Sequence, residues 1–232
     1  MENNPPKIAV LIPGYCEEAT IGKVIAGVKK HLDHVLIVDD GSPDKTAERA
    51  REAGAEVIVH SRNQGKGASL KSGFRKLQSS DVNYFLVMDS DGQHDPADIP
   101  KFIAATSQSE VAVFCGNRMA DLTSMPLVRK LTNKFMSWSI SRACSQHIPD
   151  SQCGFRMYRR DTLAHLLCET DNFDYETETL LLISRHGLKI GAVPVKTIYG
   201  NETSKIRPIR DTVRFFKLML RYKKGRGNNP RP

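Results

Sequence analysis

The sequence lacks any run of about 20 uninterrupted apolar residues, the length that a membrane-spanning helix needs. Its N-terminus carries no charged-then-apolar signal segment, and no internal repeat is visible. Cysteine is scarce: the five cysteines are scattered singly, without the close pairs of a zinc site or the density of a disulfide framework. These absences predict a protein of the cytosol with reduced thiols, either soluble or peripheral to a membrane.

Acidic residues are nearly absent from the end of the chain. Residues 205–232 hold ten Lys or Arg and one acidic residue, a net charge of +9, whereas the whole chain carries +8. Residues 1–204 are therefore almost neutral. We expect one domain over residues 1–204, followed by a basic helix and tail over residues 205–232. Nucleic-acid enzymes usually spread their basic residues over the body, so the distribution argues against nucleic acid. It favours an anionic membrane surface, with a merely solvated basic end as the alternative.

Short apolar runs alternate with stretches that are typical of amphipathic helices. The runs are KIAVLIP, HVLIVDD, AEVIVH, NYFLVMDSD and EVAVFCG. Near-continuous runs of this kind suit strands that are buried on both faces of a parallel sheet, so we predict a layered α/β fold with a mostly parallel central sheet. Ligands of such sheets bind beyond the carboxyl ends of the strands. The loops that follow the runs are therefore the expected location of the chemistry.

The second half of the chain shows a different pattern. We predict a long helix over residues 127–145, a loop at DSQCGFRMYRR that leads into another helix, and a helix at FDYETETLLLISRHG that Gly187 ends. KIGAVPVKTIY predicts a strand. Residues 208–224 predict a final helix with two adjacent stripes. The basic stripe holds Arg210, Arg214, Lys217 and Arg221, and the apolar stripe holds Ile209, Val213, Phe216 and Leu220. Such a helix either lies in a membrane interface or packs on its own domain.

The strongest local signal is the segment Asp89-Ser90-Asp91-Gly92-Gln93-His94, directly after an apolar run. Two carboxylates and an amide at this spacing suit Mg²⁺ or Mn²⁺ bridging two phosphates. The alternative is an acidic turn that caps a helix. The sequence therefore offers Asp89, Asp91 and Gln93 as candidate metal ligands.

Three further loops carry candidate binding residues. Asp39-Asp40 ends the second apolar run, where a carboxylate could contact a ribose or a base. Pro13-Gly14-Tyr15, with Glu17, follows the first run and forms either a base-stacking ledge or ordinary strand-to-helix punctuation. NQGKG opens a helix at Lys66 and could meet anionic groups, but it lacks the spacing of a Walker loop, which argues against a kinase.

Taken in order, these motifs resemble the family 2 glycosyltransferases of GT-A fold, and among them the dolichyl- and polyprenyl-phosphate sugar synthases. The matching segments span residues 8–205. They are IPGYCEE, VDDGSPDKT, RNQGKGASLKSGF, MDSDGQHDP, GNR, PLVRKLTNK, DSQCGFRMYRR, YETETLL and YGNETSK. The resemblance implies that residues 1–204 are a GT-A domain. It implies a nucleotide-sugar donor, GDP- or UDP-hexose, and a polyprenyl phosphate acceptor.

The resemblance also implies roles for individual residues. Asp89, Asp91 and Gln93 match the metal and diphosphate site, and Arg118 and Arg129 match arginines that hold the acceptor phosphate, a task suited to bidentate guanidinium groups. The positions that match donor nucleoside contacts are Pro13, Tyr15, Glu17 and Asp39. One departure concerns an Arg that several relatives carry before their G-x-S-K segment. Here Lys205 or Arg207 would replace it.

The implied reaction is an inverting displacement at the anomeric carbon, in which the metal offsets charge on the departing diphosphate. A phosphate acceptor needs no general base. A saccharide or other hydroxyl acceptor needs one, and Asp150 is then the first candidate, followed by Glu176 and Glu178. A nonenzymatic nucleotide-sugar or membrane-binding protein is a further alternative. We expect a peripheral enzyme on the cytoplasmic face of a membrane.

Overall fold

The computed structural model describes residues 5–120, 127–172, 174–198 and 208–225; the side chains of residues 120, 128, 129, 208–213 and 223–225 lie outside this description. Strands and helices alternate along the described chain. The strands are β1 (Ile8–Gly14), β2 (Val35–Asp39), β3 (Glu56–Val59), β4 (Tyr84–Val87), β5 (Val111–Asn117), β6 (Arg156–Arg159) and β7 (Lys189–Pro194). The α-helices are α1 (Ile21–Val28), α2 (Thr46–Glu52), α3 (Lys66–Leu77), α4 (Ile99–Ala105), α5 (Leu127–Cys144), α6 (Leu163–Leu166), α7 (Tyr175–Arg185) and α8 (Pro208–Gly225).

The strands form one sheet in the order β3-β2-β1-β4-β6-β5-β7. β1 pairs in parallel with β2 and β4, and β5 pairs in parallel with β7. β6 is antiparallel to both of its neighbours, β4 and β5. The mostly parallel sheet predicted from the apolar runs is confirmed. All strands except β6 therefore point their carboxyl ends toward the same edge, where ligands of such sheets bind.

The interpretation of DSQCGFRMYRR as a loop is wrong for its last residues, which form β6 inside the sheet. Met157 and Tyr158 of this strand are buried. Arg156 is buried as well, and its guanidinium donates hydrogen bonds to the carbonyl groups of Ser151, Cys153 and Glu176. These bonds offset the cost of placing a charge inside the protein. A strand was not predicted here because the carbonyl groups that bind Arg156 cannot be recognised from the local sequence.

Alternate residues of β1 supply two apolar clusters, one on each face of the sheet. Ala9 and Leu11 join side chains of α3 and α7 in one cluster. Val10 and Ile12 join side chains of α1 and α4 in the other. Because helices cover both faces, every residue of β1 is buried, which explains why its sequence is continuously apolar rather than alternating.

The three long helices predicted in the second half are present with similar bounds. α5 and α8 differ from the predicted ranges by one residue each, and α7 is followed by Gly187, whose φ of 74° is the left-handed conformation that glycine favours after a helix. α8 places Phe215 and Leu218 in the cluster that contains Leu11. This helix therefore packs on the domain through one of its faces.

Candidate active site

The loops after β1 and β2 lie side by side because these strands are parallel neighbours. Their register sets Gly14 opposite Asp39. Pro13 is buried in β1, and the following Tyr15 exposes 37% of its surface. Glu17 is half-buried, whereas Asp39 is almost fully buried. The four residues matched to donor nucleoside contacts thus lie at the carboxyl ends of two neighbouring strands and in the loop after β1.

Hydrogen bonds between these loops fix their geometry. Asp39 accepts hydrogen bonds from the backbone amide and the hydroxyl of Ser42. The Ser42 hydroxyl oxygen accepts a bond from the Cys16 amide at 2.9 Å, and the Thr46 hydroxyl oxygen accepts one from the Glu17 amide at 2.8 Å. These two bonds, between residues far apart in sequence, hold the first loop against the second.

The segment Asp89–His94 follows β4, which borders β1 on its other side. The Thr20 hydroxyl, in the loop after β1, donates a hydrogen bond to the Ser90 carbonyl at 2.9 Å. The Gln93 amide donates to Asp91 Oδ1 at 2.9 Å, and Gly92 between them has a φ of 77°. The three candidate metal ligands therefore belong to one tight turn that is tied to the first loop.

The His94 ring contacts Asp89, a contact that was not predicted from the sequence. The Asp89 amide donates to His94 Nδ1 at 3.1 Å, which leaves the ring proton on Nε2, 3.7 Å from Asp89 Oδ2. The ring stacks on Phe155 with a centroid distance of 5.1 Å. Burial lowers the pKa of His94 to about 4, so the imidazole is neutral near pH 7.

Lys66, the first residue of α3, lies between two carboxylates. Its Nζ atom is 2.5 Å from Asp89 Oδ1 and 2.6 Å from Glu176 Oε1, on the second residue of α7. Burial opposes the charge on Lys66, but the two carboxylates outweigh it and raise the pKa of the ammonium group. Burial likewise works against ionised Asp89, yet Lys66 and, more weakly, Arg118 lower the pKa of this carboxyl. Lys66 and Asp89 are therefore both charged near pH 7.

The second carboxylate of the Asp39-Asp40 pair has a different task. Asp40 accepts hydrogen bonds from the amides of Gln64 and Gly65, the latter at 2.7 Å, and lies 2.8 Å from His60 Nδ1. Gly65 has a φ of 104°, a conformation that residues with a Cβ atom rarely adopt. Asp40 therefore holds the NQGKG turn that delivers Lys66.

Arg118 and Asp150 form a bidentate ion pair at the end of β5. Arg118 Nε donates to Asp150 Oδ2 at 2.7 Å, and its terminal nitrogen donates to Oδ1 at 3.0 Å. Asp150 is fully buried and also accepts bonds from the amides of Arg118 and Gln152. The structure thus joins two of the predicted site residues, with Arg118 close enough to lower the pKa of Asp89.

The structure describes only some of the remaining predicted residues. Arg129 belongs to the first turn of α5, and its side chain is among those outside the description, as are Lys205 and Arg207. Glu178 accepts a hydrogen bond from Arg221 of α8 at 2.9 Å. Arg221 of the predicted basic stripe therefore forms an ion pair with a residue of α7. Phe216 and Leu220 of the predicted apolar stripe are exposed.

The donor set at Asp89 and Asp91 fits a hard divalent cation. Among the residues that the structure describes, no cluster of three or more His, Cys, Asp or Glu side chains could hold a metal ion by itself. Mg²⁺ is usually bound by one or two carboxylates together with water and substrate phosphates rather than by an all-protein cage. Two adjacent carboxylates on one turn match that arrangement.

Comparison with known proteins identifies the family of the chain. The model of glycosyl transferase family 2 matches residues 9–167. The chain belongs to this family, and the enzyme is a family 2 glycosyltransferase with a GT-A fold.

Individual relatives are similar over most of the chain. The UDP-N-acetylglucosamine–dolichyl-phosphate N-acetylglucosaminyltransferase of Methanococcus voltae is 30% identical over 215 residues, covering 83% of this chain and 86% of that protein. The dolichol-phosphate mannosyltransferase of Pyrococcus furiosus is 32% identical over 171 residues, covering 68% of this chain and 47% of that protein.

Solved structures agree on the fold. Glucosyl-3-phosphoglycerate synthase from Mycobacterium tuberculosis in complex with UDP gives a TM-score of 0.71 at 21% identity, covering 94% of this chain and 80% of that one. A complex of the same synthase with Mn²⁺, UDP and glucosyl-3-phosphoglycerate gives a TM-score of 0.68.

Proposed function

We propose that this enzyme transfers a hexose from a GDP- or UDP-linked donor to a polyprenyl phosphate. The observation that carries the proposal is that all three carboxylates considered as general bases are paired with cations. Asp150 is paired with Arg118, Glu176 with Lys66, and Glu178 with Arg221. A carboxylate held in an ion pair is a poor acceptor for a hydroxyl proton. A phosphate acceptor, with a second pKa of about 6, is already ionised and needs no base.

The relatives support the same acceptor class. The proteins of Methanococcus voltae and Pyrococcus furiosus both carry dolichyl or dolichol phosphate in their names. In our proposal Arg118 binds the acceptor phosphate, and Asp150 is a positioning residue that fixes the guanidinium group for bidentate contact. Arg129 is the second phosphate contact.

The donor occupies the loops after β1, β2 and β4. Tyr15 and Asp39, with Pro13 and Glu17, hold the nucleoside, while Asp89, Asp91 and Gln93 hold Mg²⁺ or Mn²⁺. The bound metal supplies charge stabilisation to the departing diphosphate, and the synthase complex with Mn²⁺ and UDP supports this choice of ion. The acceptor oxygen attacks from the face opposite the diphosphate, which inverts the anomeric centre.

We further propose that the enzyme works on the cytoplasmic face of an anionic membrane, with residues 1–204 as the catalytic domain and residues 205–232 as a basic attachment. No described helix is long and apolar enough to cross a membrane. α5 presents an exposed apolar stripe, with side chains between 51% and 68% exposed: Leu127, Leu131, Phe135 and Trp138. α5 also contains four basic and no acidic residues. Together with exposed Phe216 and Leu220 of α8, this composition complements an anionic interface.

A matched pair of acceptors tests the function. The full chain is incubated with labelled GDP- and UDP-hexoses, including UDP-N-acetylglucosamine, with Mg²⁺ or Mn²⁺ and with either polyprenyl phosphate or the corresponding polyprenol. We expect labelled lipid only with polyprenyl phosphate and only with metal. Equal transfer to polyprenol, or transfer only to a saccharide or to 3-phosphoglycerate, would instead establish a hydroxyl acceptor.

A further inference from the structure

The cluster of Lys66, Asp89 and Glu176 joins three separate elements of the fold. Lys66 begins α3, Asp89 follows β4, and Glu176 lies in the first turn of α7. The cluster also fits closely against Gly154, because a Cβ atom there would lie 2.8 Å from Glu176 Oε1, 2.9 Å from Asp89 Oδ2 and 3.0 Å from Lys66 Nζ. The backbone of the DSQCGF loop therefore closes the cluster on one side.

Each member of the cluster is held by contacts of its own. Both backbone neighbours of Lys66 are held: the Gly65 amide donates a hydrogen bond to Asp40, and the Gly67 amide donates one to the Asp171 carbonyl at 2.9 Å. The Glu176 carbonyl accepts a bond from the buried Arg156 at 2.6 Å. The ammonium group is consequently fixed in place, and it fixes Asp89 in turn.

The charges of the cluster do not cancel. One ammonium lies between two carboxylates, so the three groups together carry one net negative charge next to Asp91. Removing the ammonium would leave two carboxylates without compensation, and removing the charge of Glu176 would leave a neutral pair. Electrostatic interactions in such partly buried sites are strong, because the effective dielectric constant is far below that of water.

We propose that Lys66 and Glu176 together set the negative charge that the turn at Asp89 offers to a divalent cation: the ammonium group of Lys66 lowers the affinity of this turn for the cation, and the carboxylate of Glu176 raises it. This inference rests on the metal site proposed above. It assigns Glu176 to the control of cation affinity rather than to proton transfer.

The test measures Mn²⁺ binding to the full chain from the loss of the free-ion electron paramagnetic resonance signal, first without and then with a nucleoside diphosphate (UDP or GDP), because substrate phosphates complete metal sites of this kind. The variants are Lys66→Met, Lys66→Arg, Glu176→Gln and the double variant Lys66→Met/Glu176→Gln. Lys71→Met is the matched control, since it removes another buried lysine from α3, one that is paired with Asp171 rather than with Asp89.

We expect opposite shifts of Mn²⁺ affinity. Lys66→Met should lower the Kd by at least about tenfold, and Glu176→Gln should raise it by a similar factor, because each changes the charge beside the cation by one unit. Lys66→Arg, the double variant and the Lys71→Met control should stay close to the wild-type value. A role in folding alone would lower stability in several variants without producing shifts of opposite sign.

Thermal melting in a metal chelator is the second measurement. Lys66→Met should have a lower Tm than wild type, because two carboxylates then face each other without a counter-charge, and the double variant should recover part of that loss. Mn²⁺ should raise the Tm of Lys66→Met more than that of wild type.

Two results would overturn the inference while leaving the proposed transfer reaction intact: equal Mn²⁺ affinity in wild type, Lys66→Met and Glu176→Gln, or shifts of the same sign in both variants. If Lys66→Met does not fold, Glu176→Gln decides, and an unchanged or tighter Kd refutes the proposal. If wild type binds no Mn²⁺ even with UDP or GDP present, beyond what the nucleotide binds alone, the result counts against the metal site itself and against this inference with it.

Discussion

The loops at the carboxyl ends of β1, β2 and β4 differ from the outer face of α5 in the contacts that their side chains make. The loops are tied to one another by hydrogen bonds between residues far apart in sequence, such as Ser42 with Cys16 and Thr20 with Ser90. The outer face of α5 instead leaves large apolar side chains, among them Phe135 and Trp138, in contact with water.

This difference indicates that the two regions suit two different kinds of binding partner. Fixed hydrogen-bonding groups suit a charged donor whose diphosphate must be met by preorganised partners. An exposed apolar stripe on a basic helix suits a second apolar phase, since patches of this kind mark interaction or membrane surfaces. Arg118 lies between the two regions in sequence, after β5 and before α5, and its partner Asp150 follows α5.

The largest effect is expected in the loop after β4. Asp91→Ala should reduce turnover by about a thousandfold or more while the fold persists, because a metal ion supplies several kcal/mol of charge stabilisation. Steady-state kinetics over a range of Mn²⁺ concentrations measures the loss, and circular dichroism checks the fold. Asp95→Ala, which removes a half-buried turn-capping carboxylate nearby, is the control and should keep most activity. Full activity of wild type in a chelator would contradict the metal role.

The boundary between the two regions should show the next largest effect. Arg118→Ala should raise the KM for polyprenyl phosphate by about tenfold to a hundredfold, corresponding to roughly 1.5–3 kcal/mol for charge-assisted hydrogen bonds. Donor hydrolysis without acceptor should persist. Asp150→Asn should have a smaller effect in the same direction, because it loosens Arg118 without removing it.

The control for these two variants is Arg142→Ala, which removes an exposed arginine from the last turn of α5. It should leave the acceptor KM unchanged. If Asp150→Asn abolishes transfer while Arg118→Ala has little effect, Asp150 is a base and the acceptor is a hydroxyl.

A moderate effect is expected at the nucleoside end of the donor loops. Asp39→Ala should raise the donor KM by about tenfold with little change in kcat, because the contact lies far from the reacting carbon. Ser42→Ala is the matched variant: it removes the hydroxyl that donates to Asp39 and should give a weaker shift of the same sign. A loss confined to kcat would show that Asp39 acts on the reaction step instead.

The smallest effect on the chemistry is expected from the apolar face of α5. Phe135→Ser/Trp138→Ser should weaken sedimentation with anionic liposomes, because burying each side chain contributes about 1.5–3 kcal/mol. Turnover with a short-chain, water-soluble acceptor should not change. Val59→Ser removes a comparably exposed apolar side chain from β3 and is the control. At 1 M salt, where the Debye length is about 3 Å, the apolar part of binding should remain.

Equal sedimentation of wild type and the double variant would show that the apolar face of α5 does not contribute to membrane binding. The basic side chains of α8 are tested in the same assay by Lys217→Gln, because Lys217 is exposed. Arg221 is unsuitable for this purpose, since it is paired with Glu169 and Glu178 and its removal would also loosen α8.

The sequence by itself determined the parallel strands and the edge at which the site lies. Strands covered on both faces must be apolar along their whole length, and turn-forming residues must follow them, so β1, β2 and β4 were recognisable together with the loops that carry Tyr15, Asp39 and Asp89. Helices with a covered face were equally recognisable, because apolar residues recur at helical spacing. Two apolar residues predicted to share one stripe of α8, Phe216 and Leu220, are exposed, whereas the packing of this helix on the domain uses Phe215 and Leu218, which that stripe did not include.

Only the tertiary structure decided what the charged side chains do. Asp150 and Arg118 are 32 residues apart, and Lys66 and Glu176 are 110 apart, so no local pattern links them. The same holds for Asp40, whose partners lie in the turn before α3. It also holds for Arg156, which is buried in β6, a strand where the sequence predicted a loop. The role of a charged side chain depends on the groups that the fold brings within hydrogen-bond distance of it. Here those contacts place all three candidate bases in ion pairs.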